Sequence, residues 1–213
     1  MSAVLEQVRV VQMGLSPYEP TLRAMRDFTA RRGADTPDEL WLLEHPPVYT
    51  LGLAADAAHG PRGGSAIPLV QVERGGEITY HGPGQVVLYT LVDLARRGIK
   101  VKQFVAMLEQ SVIDLLGGRA ESGVERPQRV AGAPGIYVGG AKIAALGIRV
   151  SRGCAYHGLA LNVDMDLAPF SAIDPCGYPG LRVTQTRDLG MQEGKEILGR
   201  KLAAILAGKL DRA

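Results

Sequence analysis

The chain has 213 residues, enough for one α/β domain with a sizeable core and barely enough for two. A formal net charge of +2, with basic residues interspersed among Asp and Glu, excludes the one-sided basic stripe of a nucleic-acid binder. No window approaches the ~20 apolar residues a membrane span needs, and the N-terminus has no basic start followed by a long apolar run. Two cysteines are too few for a disulfide scaffold. The expectation is a single domain over residues 1–213, cytoplasmic, with neither nucleic acid nor membrane as a partner.

Residues 8 to 13 (VRVVQM) read as a first strand. Pro20 then opens a helix with Leu22, Met25 and Phe28 on one face, stopped at Gly33. Trp41 to Glu44 and Val48 to Leu51 read as short strands broken by His45-Pro46-Pro47, and Ala54 to Ser65 as a surface loop. Ile67 to Val72 and Val86 to Val92 are further strands. Val101, Phe104, Val105, Leu108, Val112, Leu115 and Leu116 fall at helical spacing, which predicts a helix over Lys100 to Leu116 ended by Gly117-Gly118.

From Arg129 onward the pattern is β again. Gly135 to Val138 and Lys142 to Val150 flank Gly139-Gly140, a pair suited to a tight hairpin turn, and Gly158 to Val163 follows. Pro169 to Pro179 is a loop, and Lys195 to Leu206 closes the chain as a helix with Ile197, Leu198, Leu202 and Ile205 inward. Helices with hairpin-linked strands predict an α/β (α+β) fold built on a mixed sheet.

Between two of these strands, Arg74 to Gln85 (RGGEITYHGPGQ) concentrates four glycines with a proline, a histidine and a tyrosine. Such a backbone can lie against a ligand where side chains would obstruct. It lacks the Gly-Lys-Ser/Thr of a phosphate loop, and its glycines precede no helix, so neither nucleotide fingerprint applies. Cys176, in Asp174-Pro175-Cys176-Gly177, sits in a loop that favours an exposed sulfur. A thiol titrating near ~8.5 becomes a good nucleophile at neutral pH only beside a cation or a base. Lys142, which starts an otherwise apolar strand, is a candidate partner; its ordinary alternative is a solvated hairpin lysine. His81 and His157 compete for the same role, and the residues alone do not rank the three. Cys154 and His157 lie close together, but nothing nearby completes a metal-ligand set, so no metal and no cofactor is expected. Arg96, Arg97, Lys100 and Lys102 form a basic group that could meet an acidic carrier protein or be only a solvated helix start.

Four motifs then stand in order: Arg74-Gly-Gly-x-x-Thr-Tyr-His-Gly-Pro-Gly-Gln85, Gly140-x-Lys142-Ile-Ala-x-x-Gly147, His157-Gly-x-Ala-x-Asn162 and Pro175-Cys176-Gly177. Together they resemble the octanoyltransferases of lipoate biosynthesis. That resemblance implies a fold similar to the biotin and lipoate protein ligase catalytic domains, a mixed sheet flanked by helices. It implies transfer of an octanoyl group from octanoyl-acyl carrier protein to a specific lysine of the lipoyl domains of 2-oxoacid dehydrogenases and of the glycine cleavage H protein. By match of motif, Cys176 carries the acyl thioester and Lys142 lowers its pKa. Arg74, Gly75, Gly76, Glu77, Ile78, Thr79, Tyr80, His81, Ala145, Leu146, Gly147, Gly158, Leu159 and Ala160 line the acyl site, with His157, Gln85 and Asn162 in support, and Cys154 is structural. The rival readings are an ATP-dependent lipoate or biotin ligase, a cysteine acyl hydrolase, and a non-catalytic binding module.

Overall fold

The computed structural model describes residues 7–55, 60–62, 65–117, 125–174 and 180–213. Seven strands form the main sheet: β1 (Arg9–Leu15), β2 (Glu39–Glu44), β6 (Gln85–Asp93), β7 (Gln128–Val130), β8 (Ala133–Val138), β9 (Ala141–Ser151) and β10 (Cys154–Asn162). Their spatial order is β1-β2-β6-β10-β9-β8-β7, and a smaller sheet orders β4 (Leu69–Gln71), β3 (Val48–Leu51) and β5 (Ile78–His81) as β4-β3-β5. β1 and β2 pair in parallel through the crossover helix α1 (Tyr18–Arg31), whereas β7 to β10 form an antiparallel run. The sheet is therefore mixed, as expected.

Side-chain alternation in the central strands divides the core in two. On β6, Val86, Leu88 and Val92 face helices α2 (Val101–Gly117) and α3 (Lys195–Leu210), while Val87, Tyr89 and Leu91 face α1. Of the stripe predicted for α2, Phe104, Leu108, Val112, Leu115 and Leu116 are buried, whereas Val105 is only half-buried and Val101, in the first turn, is exposed. Burying each such side chain stabilises the fold by roughly 1.5–3 kcal/mol. The Gly139-Gly140 hairpin is also present, with φ of 57° and 73° at its two central residues, the left-handed pair that a tight antiparallel turn requires. No helix among the described residues is long and apolar enough to cross a membrane.

Several expectations shift. The strand placed at Ile67 to Val72 shortens to Leu69–Gln71, and α1 begins at Tyr18 with Pro20 in its first turn, where a missing N–H costs nothing. β10 begins at Cys154, four residues earlier than its apolar run suggested, because it pairs with both β6 and β9. The glycine-rich segment is not loop throughout: Ile78–His81 is strand β5, in antiparallel register with Val48–Leu51. Arg96 is only partly exposed, and Arg97 is buried and not available to a partner. Both bind the buried carboxylate of Asp38, at 2.9 and 2.5 Å, and Arg97 also donates to the Leu210 carbonyl at 2.5 Å. Lys100 and Lys102 remain exposed.

Candidate active site

β9 carries Lys142 into the interior, where the residue is only 4% exposed. Its backbone is clamped from the far side: the Lys142 amide donates to the Arg182 carbonyl at 2.8 Å, and the Thr184 amide donates to the Lys142 carbonyl at 2.9 Å. Lys142 and Val183 thereby form a parallel bridge that ties the segment around Val183 to β9. The ammonium donates to the Pro134 carbonyl at 2.9 Å and lies 5.4 Å from the Tyr137 ring centroid. The solvated-hairpin alternative for Lys142 is therefore excluded.

A pocket opens beside this amine on the α1 side of the sheet, and most of the expected residues converge on it. Arg74, Gly76, Glu77, Ile78, Thr79 and His81 line one wall, and Ala145, Leu146 and Gly147 of β9 line another. His157, Gly158, Leu159, Ala160 and Asn162 of β10 complete it. Gly75 instead lines an adjoining apolar cavity that shares Gly76, Glu77, Leu146 and Gly147 with the first. Tyr80 does not line the pocket. It packs between Tyr49 and Phe170, with ring centroids at 5.6 and 5.4 Å. Arg74 lines the pocket while holding its own loop: it donates to the Gly75, Glu77 and Thr50 carbonyls and to the Thr50 hydroxyl. Cys176 lies outside the described residues.

Two hydrogen-bond chains hold the polar wall. His81 Nδ1 lies 2.7 Å from Gln85 Oε1, while Gln85 Nε2 donates to Asn162 Oδ1 at 3.0 Å and to the Tyr80 carbonyl at 3.3 Å. With the amide oxygen as the acceptor, His81 carries its proton on Nδ1 and keeps the Nε2 lone pair. Asn162 continues the chain by donating to the Thr184 carbonyl at 2.9 Å, next to the bridge on Lys142. Gln85 is thus a tie behind the pocket, and Asn162 a tie at its wall. In the second chain His45 Nδ1 donates to the Ser16 carbonyl at 2.7 Å, so its Nε2 accepts from the Tyr89 hydroxyl, also at 2.7 Å.

Burial dominates the electrostatics here. It pushes His81 and His157 down to about 3 and His45 to about 4, so all three imidazoles are neutral at neutral pH. It pushes Tyr18 up to about 12. Cys154 is buried, and that burial raises its thiol pKa, as fits a structural cysteine.

The residues that sequence reasoning missed at this pocket are Tyr18, Val87, Tyr89, Ala144, Phe170 and Val183. Only alternation on β6 could have pointed to Val87 and Tyr89. The others reach the site through long-range pairing or helix docking, which local pattern does not encode.

With this geometry in hand, the comparisons are consistent. The lipoyl protein ligase A/B catalytic domain matches residues 17–202. An octanoyltransferase of Thiobacillus denitrificans is 62% identical over 92% of this chain and 88% of its own length. An octanoyltransferase of Dechloromonas aromatica is 56% identical over 95% of this chain and 97% of its own. Among solved structures, lipoate-protein ligase A bound with ATP superposes with a TM-score of 0.71 at 15% identity, covering 97% of this chain and 93% of that one. The biotin protein ligase of Aquifex aeolicus gives 0.55 at 11% identity, covering 97% and 71%; at such identities these two likenesses speak for the fold alone. A mixed sheet flanked by helices, a buried β9 lysine beside an apolar pocket and a domain match across most of the sequence agree: the chain belongs to the lipoyl protein ligase A/B catalytic-domain family.

Proposed function

We propose that this protein is an octanoyltransferase acting in protein lipoylation, with residues 1–213 serving as one catalytic domain. It takes an octanoyl group from octanoyl-acyl carrier protein, holds it as a thioester on Cys176, and passes it to a lysine amine of a lipoyl domain. The observation that carries this reading is the Lys142 ammonium, buried at the wall of an apolar pocket in a chain whose relatives named octanoyltransferase match it nearly end to end.

The chemistry needs no nucleotide, because a thioester is exchanged for a thioester and then for the more stable amide. In the first half-reaction the Cys176 thiolate attacks the donor carbonyl, the carbon–sulfur bond to the carrier breaks, and the carrier thiolate leaves with a proton from Lys142. In the second, the acceptor amine attacks the acyl-enzyme, its proton passes to the now neutral Lys142, and the thiolate departs. The thiolate–ammonium pair is then restored. Lys142 serves both halves because an amine, unlike a guanidinium, exchanges its proton readily. His81 and His157, neutral and buried, are poor sources of the positive charge a thiolate needs.

Intact-mass spectrometry after mixing with octanoyl-acyl carrier protein tests the reading. An octanoyl adduct mapped to Cys176 and lost in Cys176→Ser is expected. Steady release of octanoate without acceptor would favour a hydrolase, and a requirement for ATP with free acid would favour a ligase.

A further inference from the structure

His157 is built at a cost that the reaction outlined above does not use. On β10, Ala155, Leu159 and Leu161 face α2 and α3, and Tyr156 and Ala160 face α1. By that count His157 belongs with the first group. Instead its φ is +62°, one of two positive values at non-glycine residues among the described ones. The ring swings onto the α1 side, stacked on Tyr156 at 5.1 Å and edge-on to Tyr89 at 5.9 Å. Register pairs on β6 and β10 run from Ala155 with Val92 to Gly158 with Tyr89, skipping the residues between, and the Thr90 hydroxyl donates to the His157 carbonyl at 2.9 Å in place of a ladder bond. The ring is 1% exposed, and neither nitrogen has a hydrogen-bond partner among the described residues. A strained backbone and an unpaired buried imidazole are both destabilising, and both here serve to place one ring on the pocket wall.

Its position along the sheet is informative. The Lys142 amine lies over Gly135, whose added Cβ would stand 3.1 Å from Nζ, and Gly135 pairs with Ala145. His157 pairs with Ile148, three residues further along β9, which sets it roughly 10 Å from Gly135 along the strand direction at ~3.3 Å per residue and two strands, roughly 9.6 Å, across the sheet. Between them the pocket is lined by Ala145, Leu146, Gly147, Gly158, Leu159 and Ala160, and Ala145 and Ala160 keep the wall low. An extended octanoyl chain spans roughly 9 Å from carbonyl carbon to terminal methyl, seven carbon–carbon bonds each advancing about 1.3 Å along the zigzag axis.

We propose that His157 is the end wall of the acyl seat and the residue that reads chain length. This rests on the reading of Lys142 as the reacting end. A chain of octanoyl length stops against the imidazole. A longer one must displace the ring or press methylenes onto its unpaired nitrogens, where no hydrogen bond compensates.

The test compares wild type, His157→Gly and His157→Asn in competition loading with octanoyl, decanoyl and dodecanoyl thioesters of acyl carrier protein, read by intact mass. Glycine and asparagine both tolerate positive φ, so the variants relieve strain while shortening the wall. His157→Gly is expected to raise the decanoyl-to-octanoyl ratio by roughly tenfold or more, the discrimination typical of one or two methylenes, and His157→Asn by less. An unchanged ratio in a folded variant overturns the proposal, as does an equal loss at every chain length. If the glycine variant does not fold, the asparagine ratio decides. A wild type that loads none of the three thioesters defeats the functional reading itself, independently of the ratio.

Discussion

Gly135 and Lys142 occupy one another's space: a Cβ built on Gly135, whose φ is +136°, would stand 2.6 Å from Lys142 Cε and 3.1 Å from Nζ. The glycine on β8 is therefore the floor on which the β9 amine lies. A side chain there would press on the lysine stem and on the Ala144 carbonyl, 2.7 Å away, and so disturb the seat that holds the amine against the Pro134 carbonyl.

Gly135→Ala should consequently impair octanoyl transfer by roughly 100-fold, the penalty for displacing a reacting group by about 1 Å. Single-turnover transfer to a lipoyl domain measures it, with melting temperature as the control for folding. Activity within a few-fold of wild type would show that the amine's position is not critical.

Lys142 should be separable into its two duties. Lys142→Ala should return the Cys176 thiol toward the ordinary ~8.5 and slow transfer by on the order of 100-fold or more. Lys142→Arg keeps a cation that stays protonated, so it should retain part of the acyl loading while losing transfer to the amine. The pH dependence of alkylation by iodoacetamide and single-turnover acyl transfer report the two effects separately.

Acid should destabilise the fold through its neutral histidines. His45, His81 and His157 have folded-state pKa values of about 4, 3 and 3 against an ordinary 6.5. The unfolded chain therefore binds more protons than the folded one below 6.5. The stability these groups contribute is complete above that pH and is lost as pH falls toward their folded values. Glu73, held near 2 by hydrogen bonding to Arg26, acts with the same sign at lower pH. Urea midpoints should fall steadily from pH 6.5 downward, and His45→Gln should flatten that slope. A midpoint independent of pH between 6.5 and 4 would contradict the burial of these rings.

Asp38 should be a stability hotspot remote from the pocket. Its buried carboxylate receives Arg32, Arg96, Arg97 and the Asp93 amide. Asp38→Asn leaves the arginines without their counter-charge and should cost about 3–5 kcal/mol, a fall in Tm of roughly 10 °C at this chain length. Calorimetry checks it, and a loss below about 1 kcal/mol would mean that the arginines find other partners.

Much of the fold was legible because it rests on local pattern. The α2 stripe, the Gly139-Gly140 hairpin and the alternation of β6 are written at spacings of 3.6 and 2 residues. The pocket's glycine-rich wall and Lys142 were legible as motifs, though burial of the lysine depends on Gly135 and on the Arg182–Thr184 clamp, which come from elsewhere in the chain. The face taken by His157 was not legible, since a positive φ reverses the alternation that a sequence reader assumes. Nor was the loss of Arg96 and Arg97 to Asp38, because a buried ion cluster joins residues nearly sixty positions apart.

The most direct test of the central claim is peptide mapping of the protein after a single exposure to octanoyl-acyl carrier protein. One octanoyl group is predicted on Cys176, discharged when a lipoyl domain is added and absent in Cys176→Ser. An acyl group found on any other residue, or transfer that proceeds undiminished in Cys176→Ser, would contradict it.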